Sequence, residues 1–256
     1  MKIMIIGAGR AGNSFAAALD TQHDVTLVHH DAVVVTSEQD LVLLCVPDDV
    51  IAEVSDGLEQ SSDTVVAHVA GSRGLDVIAR HARKGSLHPL ATLPNAHVGA
   101  PRLRGGVFAV EGDELLTGLV ASLGGRTVQV PSAMRTLYHA TAVASANHVV
   151  ALMGQVEVLA RGAGLSLEDF LPLARQALDD VAQYGPLDAL TGPASRGDLA
   201  TLNAHLEAIP LDERVTYKAL AQRALRLAQG RGLEHQPTQN LSGQHNPIEN
   251  ATPWNA

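Results

Sequence analysis

The chain begins Met1-Lys2-Ile3-Met4-Ile5-Ile6-Gly7-Ala8-Gly9-Arg10-Ala11-Gly12, and this stretch decides the fold. An apolar strand empties into a Gly-x-Gly-x-x-Gly turn, and Asn13-Ser14-Phe15-Ala16-Ala17-Ala18-Leu19 reads as a helix. Gly7 permits the tight turn, Gly9 lets the backbone approach a diphosphate, and Gly12 lets the helix pack closely on the strand. The anion would sit on unpaired N–H groups at the positive end of the helix dipole, which makes Arg10 and Ala11 part of the cradle. Any tight strand-to-helix turn can use glycine. The strand before it and the helix after it favour dinucleotide binding.

With 256 residues the chain is long enough for one large domain or two smaller ones. A hydrophobic fraction of 46% is ordinary for a globular protein. No apolar run approaches the roughly 20 residues needed to cross a bilayer, and no signal segment precedes the first strand. No membrane association is therefore expected. A formal charge of −9 argues against nucleic-acid binding. The lone Cys45 excludes an intrachain disulfide, and its place in an apolar run reads as a buried packing residue. A cytoplasmic protein is expected.

Outward from the opening turn, strand and helix signals alternate, indicating a parallel sheet covered by helices. Strands are expected at 25–28, 41–46, 64–69, 106–110 and 127–130, with a short one running into His88-Pro89-Leu90. Helices are expected at 50–58, 75–84 and 114–123. After Pro131 the pattern changes. One long helical pattern covers 134–161 and is stopped by Gly162 and Gly164. Ser166-Leu167-Glu168-Asp169 has the form of a capping box and starts a helix to about residue 183. Gly185-Pro186 breaks it, Thr191-Gly192-Pro193 opens a loop, and 198–207 and 216–229 are further helices. The last residues, 232–256, are polar and aperiodic, so they read as a flexible tail in which Trp254 has no obvious partner. The expected domains are 1–132, 133–231 and the tail 232–256.

These pieces together resemble the Rossmann-like family that carries a helical domain of unknown function called DUF2520, related to pyrroline-carboxylate reductases, ketopantoate reductases and 6-phosphogluconate dehydrogenases. The resemblance covers about 1–229. It is carried by the opening glycine turn, Val46-Pro47-Asp48-Asp49, His88-Pro89-Leu90, Tyr138-His139 with Asn147, and Thr191-Gly192-Pro193 with Arg196-Gly197-Asp198. It implies a nicotinamide cofactor, usually NADP, a reductase-like site, and a homodimer formed through the helices. The expected fold is α/β: a Rossmann-like, mostly parallel sheet with a shortened second crossover, then an all-helical C-terminal domain.

The shortened crossover is a departure from those relatives, which place a helix and a strand there. Only twelve residues, 29–40, separate Val28 from Leu41. Twelve extended residues span about 40 Å, enough to return along one strand and pass over its neighbour but not to form a helix and a strand as well. Val33-Val34-Val35-Thr36 therefore reads as a loop or a short edge strand. NADP and NAD both stay open, with NADP slightly favoured by the resemblance. Asp31, nineteen residues beyond Gly12, would accept the ribose hydroxyls of NAD or serve as a turn residue. His29, His30 and Arg10 would meet adenine or a 2′-phosphate, or lie in solvated loop.

Hydride transfer belongs to the cofactor, so the protein must orient the substrate and supply a proton. Histidine does this near neutral pH without much tuning. His139, Val143 and Asn147 fall at i, i+4 and i+8 and share one helix face. His139 is the candidate acid and Asn147 the candidate substrate ligand; a helix–helix contact is the competing reading, and Val143 suits it. Unlike ketopantoate reductases and hydroxyacid dehydrogenases, this face carries no lysine. Tyr138 points about 100° away and reads as packing. His88, at the carboxyl end of its strand, is a candidate to face substrate or nicotinamide, with a structural histidine as the competing reading. His68 is mid-strand and reads as a core histidine. Gly71 and Ser72 would offer N–H groups and a hydroxyl to the nicotinamide side, and the resemblance adds Val46, Pro47 and Asp48 as candidate cofactor-binding residues. Arg196 and Asp198 would bind a substrate carboxylate, or pair and cap. No metal is expected, because no histidines show ligand spacing.

The function expected is reduction of a small carboxylate-bearing carbonyl or imine, a 2-oxo acid such as ketopantoate or a pyrroline carboxylate. The rival is a nucleotide-binding sensor or scaffold without turnover.

Overall fold

The structure is a computed structural model that describes residues 1–32 and 35–230. Its contacts divide the chain into two compact units, Met1–Val149 and Val150–Ala256.

The first unit is built on a seven-stranded sheet of order β2-β1-β3-β4-β5-β6-β7. The strands are β1 (Lys2–Ile6), β2 (Asp24–Val28), β3 (Leu41–Leu44), β4 (Val65–His68), β5 (Lys84–Pro89), β6 (Val107–Gly112) and β7 (Arg126–Gln129). Every neighbouring pair is parallel except β5 and β6, which are antiparallel. Around them lie α1 (Arg10–Leu19), α2 (Ile51–Asp56), α3 (Ala96–Leu103) and α4 (Leu115–Ser122).

Side-chain alternation explains the two-sided core. Ile3, Ile5, Leu41, Leu43, Val65 and Ala67 pack with Phe15 of α1 on one face. Met4, Ile6, Val42, Leu44 and Val66 pack with Ile51 of α2 on the other. A strand buried on both faces has no polar positions to alternate, which is why 41–44 is all apolar.

The expected α/β architecture is the observed one. Between β2 and β3 no described residue is helical or in a strand. Val33 and Val34 lie outside the described residues; Val35 and Thr36 are loop. Thr36 pins this connection. It is 1% exposed, its carbonyl accepts from the Thr64 hydroxyl at 3.1 Å, and its own hydroxyl reaches the Glu59 carbonyl at 3.5 Å.

Several local expectations are corrected. The helix expected over 75–84 is a single 3-10 turn, Leu75–Ile78, because Lys84 already belongs to β5. Helix α3 was not foreseen: Gly99 and Pro101 interrupt its pattern, yet Asn95 caps it by accepting from the Val98 N–H at 3.0 Å. The expected tail at 232–256, with Trp254, lies outside the described residues.

The long helix is α5 (Arg135–Gly162). With the short turn before it, the segment Ser132–Gly162 is, by length and composition, apolar enough to cross a membrane: its window has mean hydropathy 1.3 and is 6% buried. That corrects the expectation that nothing in the chain reaches bilayer length. Polar residues such as His139, Ser145 and Asn147 interrupt the apolar run without lowering the average below that mark.

The second unit holds the end of α5 with α6 (Leu167–Asp188), α7 (Gly192–Ser195), α8 (Leu199–Ala208) and α9 (Leu211–Gly230). Ser166 and Asp169 form the expected capping box on α6. Gly185, at φ 77°, breaks the helical conformation where Gly185-Pro186 was expected to. The Thr191-Gly192-Pro193 segment, expected as loop, starts α7, with Pro193 near its first turn where the missing N–H costs nothing. Ala194, Leu202 and Ala221 form the core of this unit.

Candidate functional site

The opening turn is shaped by its glycines. Gly7 sits at φ 109°, where a Cβ would collide with the Cys45 carbonyl, and a Cβ on Gly12 would collide with the Gly7 carbonyl. Both positions therefore require glycine. Gly9 is different. A Cβ there would meet nothing within 4 Å, so its face is open space. The first intrahelical bond of α1 runs from the Asn13 N–H to the Gly9 carbonyl at 3.0 Å. The amides of Arg10, Ala11 and Gly12 precede it and point out of the helix end. Asn13 braces the turn, its side-chain amide donating to the Ala8 and Gly9 carbonyls at 2.5 and 2.9 Å.

Beside this turn lies a cleft of about 540 Å³, bounded by Ile6 at the end of β1, by His30, Asp31 and Ala32 after β2, and by residues of α2. Val50, Val54 and Leu58 make its apolar wall, and Glu53 lies among them. Asp31 thus lines the cleft, whereas His29 is exposed outside it.

Parallel strands deliver a second group of residues to the same carboxyl edge. Val46 is buried beyond β3, followed by exposed Pro47 and Asp48. The Asp48 carboxylate accepts from the Ser72 hydroxyl at 2.6 Å, joining the loop after β3 to the loop after β4. Gly71 is buried, and a Cβ there would stand 2.7 Å from His139 Nδ1 and 2.8 Å from His88 Nε2. Two imidazoles from distant parts of the chain therefore press on one Cα.

His88 and His139 lie 5.9 Å apart between ring centroids, at 74°. Tyr138, expected as packing, bonds His88 instead: its hydroxyl stands 2.6 Å from His88 Nδ1. Burial, then the neighbouring His139 and Arg135, push the His88 pKa down to about 4. The ring is neutral at pH 7, so Nδ1 can accept from Tyr138 while Nε2–H faces Gly71. Burial raises the Tyr138 pKa, which keeps its hydroxyl a donor. His139 Nδ1 is buried without a hydrogen-bond partner.

The start of α5 is fixed to the sheet by Arg135, which is 2% exposed. Its guanidinium meets Glu111 of β6 at 2.8 Å and also donates to the Ser86 hydroxyl of β5. That pairing sets the position of the next turn, which carries Tyr138 and His139.

Asn147 lies exposed two turns along the same face of α5 as His139, with half-buried Val143 between them. His68 is fully buried, its Nε2 3.1 Å from the Gly74 carbonyl, and burial lowers its pKa. Cys45 is buried and its thiol pKa raised, leaving it an inert packing residue. Arg196 is exposed at the end of α7. Asp198 caps α8, accepting from the Thr201 N–H at 3.1 Å and hydroxyl at 2.7 Å. Among the described residues no group of three or more His, Cys, Asp or Glu is placed to hold a metal.

Residues 24–94 match the model of the Rossmann-like domain, and residues 107–224 match that of the domain of unknown function DUF2520. No curated protein sequence matches the chain. Solved structures resemble it over nearly their whole length. A Bacteroides fragilis protein provisionally named an NADP oxidoreductase superposes with a TM-score of 0.71 at 20% identity, over 88% of this chain and 98% of its own. The reductive aminase from Aspergillus terreus, in complex with NADPH and ethyl levulinate, gives 0.66 at 17%, over 91% and 99%. Pyrroline carboxylate reductase from Plasmodium falciparum with NADP bound gives 0.57 at 12%, over 89% and 98%. At these identities the likeness establishes the fold.

Two features of the site escaped the sequence. Tyr138 follows no spacing rule that pairs it with His88, fifty residues away. Glu53 lies in an ordinary amphipathic helix, and only the return of that helix beside β2 brings it to the cleft.

Proposed function

We propose that the protein is an NAD(P)-dependent oxidoreductase that reduces a small carboxylate-bearing carbonyl or imine, such as a 2-oxo acid or a pyrroline carboxylate. One observation carries this reading: the open face at Gly9 shares a sheet edge with the His88–Tyr138–His139 cluster. The resemblance in fold to reductases crystallised with NADPH or NADP supports it.

The residues fit such a cofactor. The amides of Gly9, Arg10, Ala11 and Gly12 would hold the diphosphate, and the cleft beside Asp31 would take the adenosine. Val46, Pro47, Asp48, Gly71 and Ser72 would border the nicotinamide. A bound reduced nicotinamide would supply the hydride. His139 would deliver the proton to the carbonyl or imine. His88 is neutral at pH 7, held by Tyr138 and packed beside the His139 ring, so it would position His139 at the substrate. Asn147, on the His139 face of α5, would orient a carboxylate. Arg196 is the candidate carboxylate ligand of the second unit, on a segment that Asp198 fixes by capping α8.

In this reading 1–132 binds the cofactor, and 133–231 completes the site and forms a homodimer. Exposed Leu173, Leu178, Val181 and Tyr184 on α6 support the homodimer, because the helix touches α9 yet leaves these large apolar side chains uncovered in the single chain.

NADH and NADPH should each be titrated while thermal stability is followed, since a ligand of the native form raises it. The same samples are then offered oxo acids and cyclic imines. A stability shift with consumption of reduced cofactor supports the reductase. A shift without consumption on any substrate overturns it in favour of a sensor, a reading that the absence of lysine from the His139 face favours.

A further inference from the structure

The cleft beside the glycine turn is chemically lopsided. Of the residues lining it, Asp31 and Glu53 are acidic, and none is lysine or arginine. Both carboxylates are exposed, and among the described residues neither forms an ion pair. Asp31 follows the end of β2 by three residues, at the rim where a ribose attached to the diphosphate cradle would lie. Glu53 joins the same lining from α2, among the apolar side chains of Val50, Val54 and Leu58 that suit an adenine ring.

Resting on the dinucleotide reading above, we propose that this cleft selects NAD(H) and rejects NADP(H), with Asp31 and Glu53 as the specificity determinants. A carboxylate accepts hydrogen bonds from the free 2′- and 3′-hydroxyls of the ribose, which a 2′-phosphate removes. The phosphate also carries nearly two negative charges and would enter a site lined by two carboxylates and by no lysine or arginine. Like charges a few ångströms apart in a solvated cleft disfavour one another by about ten-fold per pair at low salt. Arg10 does not line this cleft. It belongs to the glycine turn, where it would serve the diphosphate common to both nucleotides.

The test compares dissociation constants for NADH and NADPH on the full chain, by cofactor fluorescence at low and high salt, with ADP and adenosine 2′,5′-bisphosphate as fragment probes. Wild-type protein should bind NADH at least about ten-fold more tightly, and the preference should shrink as salt rises. The double variant Asp31→Asn/Glu53→Gln should narrow the gap chiefly by tightening NADPH. Arg10→Ala should weaken both nucleotides alike. Equal or tighter NADPH binding by the wild type overturns the selectivity and leaves the dinucleotide site standing. A preference unchanged in the double variant overturns the assignment to these two residues. Binding of no nucleotide or fragment overturns the dinucleotide reading, and the selectivity with it.

Discussion

At the scale of single residues, the contact between Gly71 and the two imidazoles is the most exacting feature of the molecule. Gly71→Ala would place a methyl against His139 Nδ1 and His88 Nε2, so the rings must shift. They are side-chain ends rather than backbone, and the fold should survive. The expected outcome is a large loss of turnover with a nearly unchanged Tm, checked by steady-state kinetics beside thermal melting. His139→Ala should cost about 10²- to 10⁴-fold in kcat, the range for removing a general acid, while cofactor affinity stays within a few-fold. An unchanged kcat would remove His139 from the acid role.

The buried imidazoles also predict how stability depends on pH. His88 falls to about 4 in the folded protein against an ordinary 6.5, and burial lowers His68 and His81 in the same direction. Between those limits the unfolded chain binds more protons than the folded one, so stability rises with pH. The contribution is complete above about 6.5 and is lost as pH falls toward 4. For His88 alone it reaches at most about 3 kcal/mol, less where solvent screens the ring. Denaturant melts at pH 7 and pH 5 should show the loss, and His88→Asn should flatten it. A slope identical in the variant would contradict the assignment.

Among the elements, α5 has the most to hold in place. Its first turn is locked by Arg135 to Glu111 and Ser86, one residue from β6 and one from β5. Arg135→Ala leaves Glu111 without its cation and should cost about 3 kcal/mol. It should also lower kcat more than KM rises, since Tyr138 and His139 lie in the next turn. Glu111→Gln, which keeps a hydrogen-bond acceptor, should lose less of both. The β2–β3 connection illustrates the opposite strategy: with twelve residues and no helix among the described ones, it is anchored by a buried threonine.

For the whole molecule, the homodimer reading makes a separate prediction. Light scattering should give twice the chain mass, and Leu173→Asp with Val181→Asp should reduce it to the monomer, because a charge buried at an apolar interface is left unpaired. A monomeric wild type would instead leave these four side chains of α6 exposed and end the homodimer proposal.

Much of the fold was legible because its signals are local. A glycine forced to φ 109°, an all-apolar strand and a capping box each act within a few residues, so the α/β order and the helical second half could be written from the sequence. Where two local signals conflicted, as with Gly99 and Pro101 inside a capped helix, the element was lost. The site was legible only in part. His88 and His139 stood out as titratable residues at a strand end and on a helix face. Their meeting over Gly71, the Tyr138 bond to His88 and the joint lining of the cleft by Glu53 and Asp31 join segments that only the sheet brings together. Backbone preference and hydrophobic period thus settled which elements form. Close packing of the sheet and its helices decided which side chains share a cleft, since that depends on contacts between residues far apart in the chain.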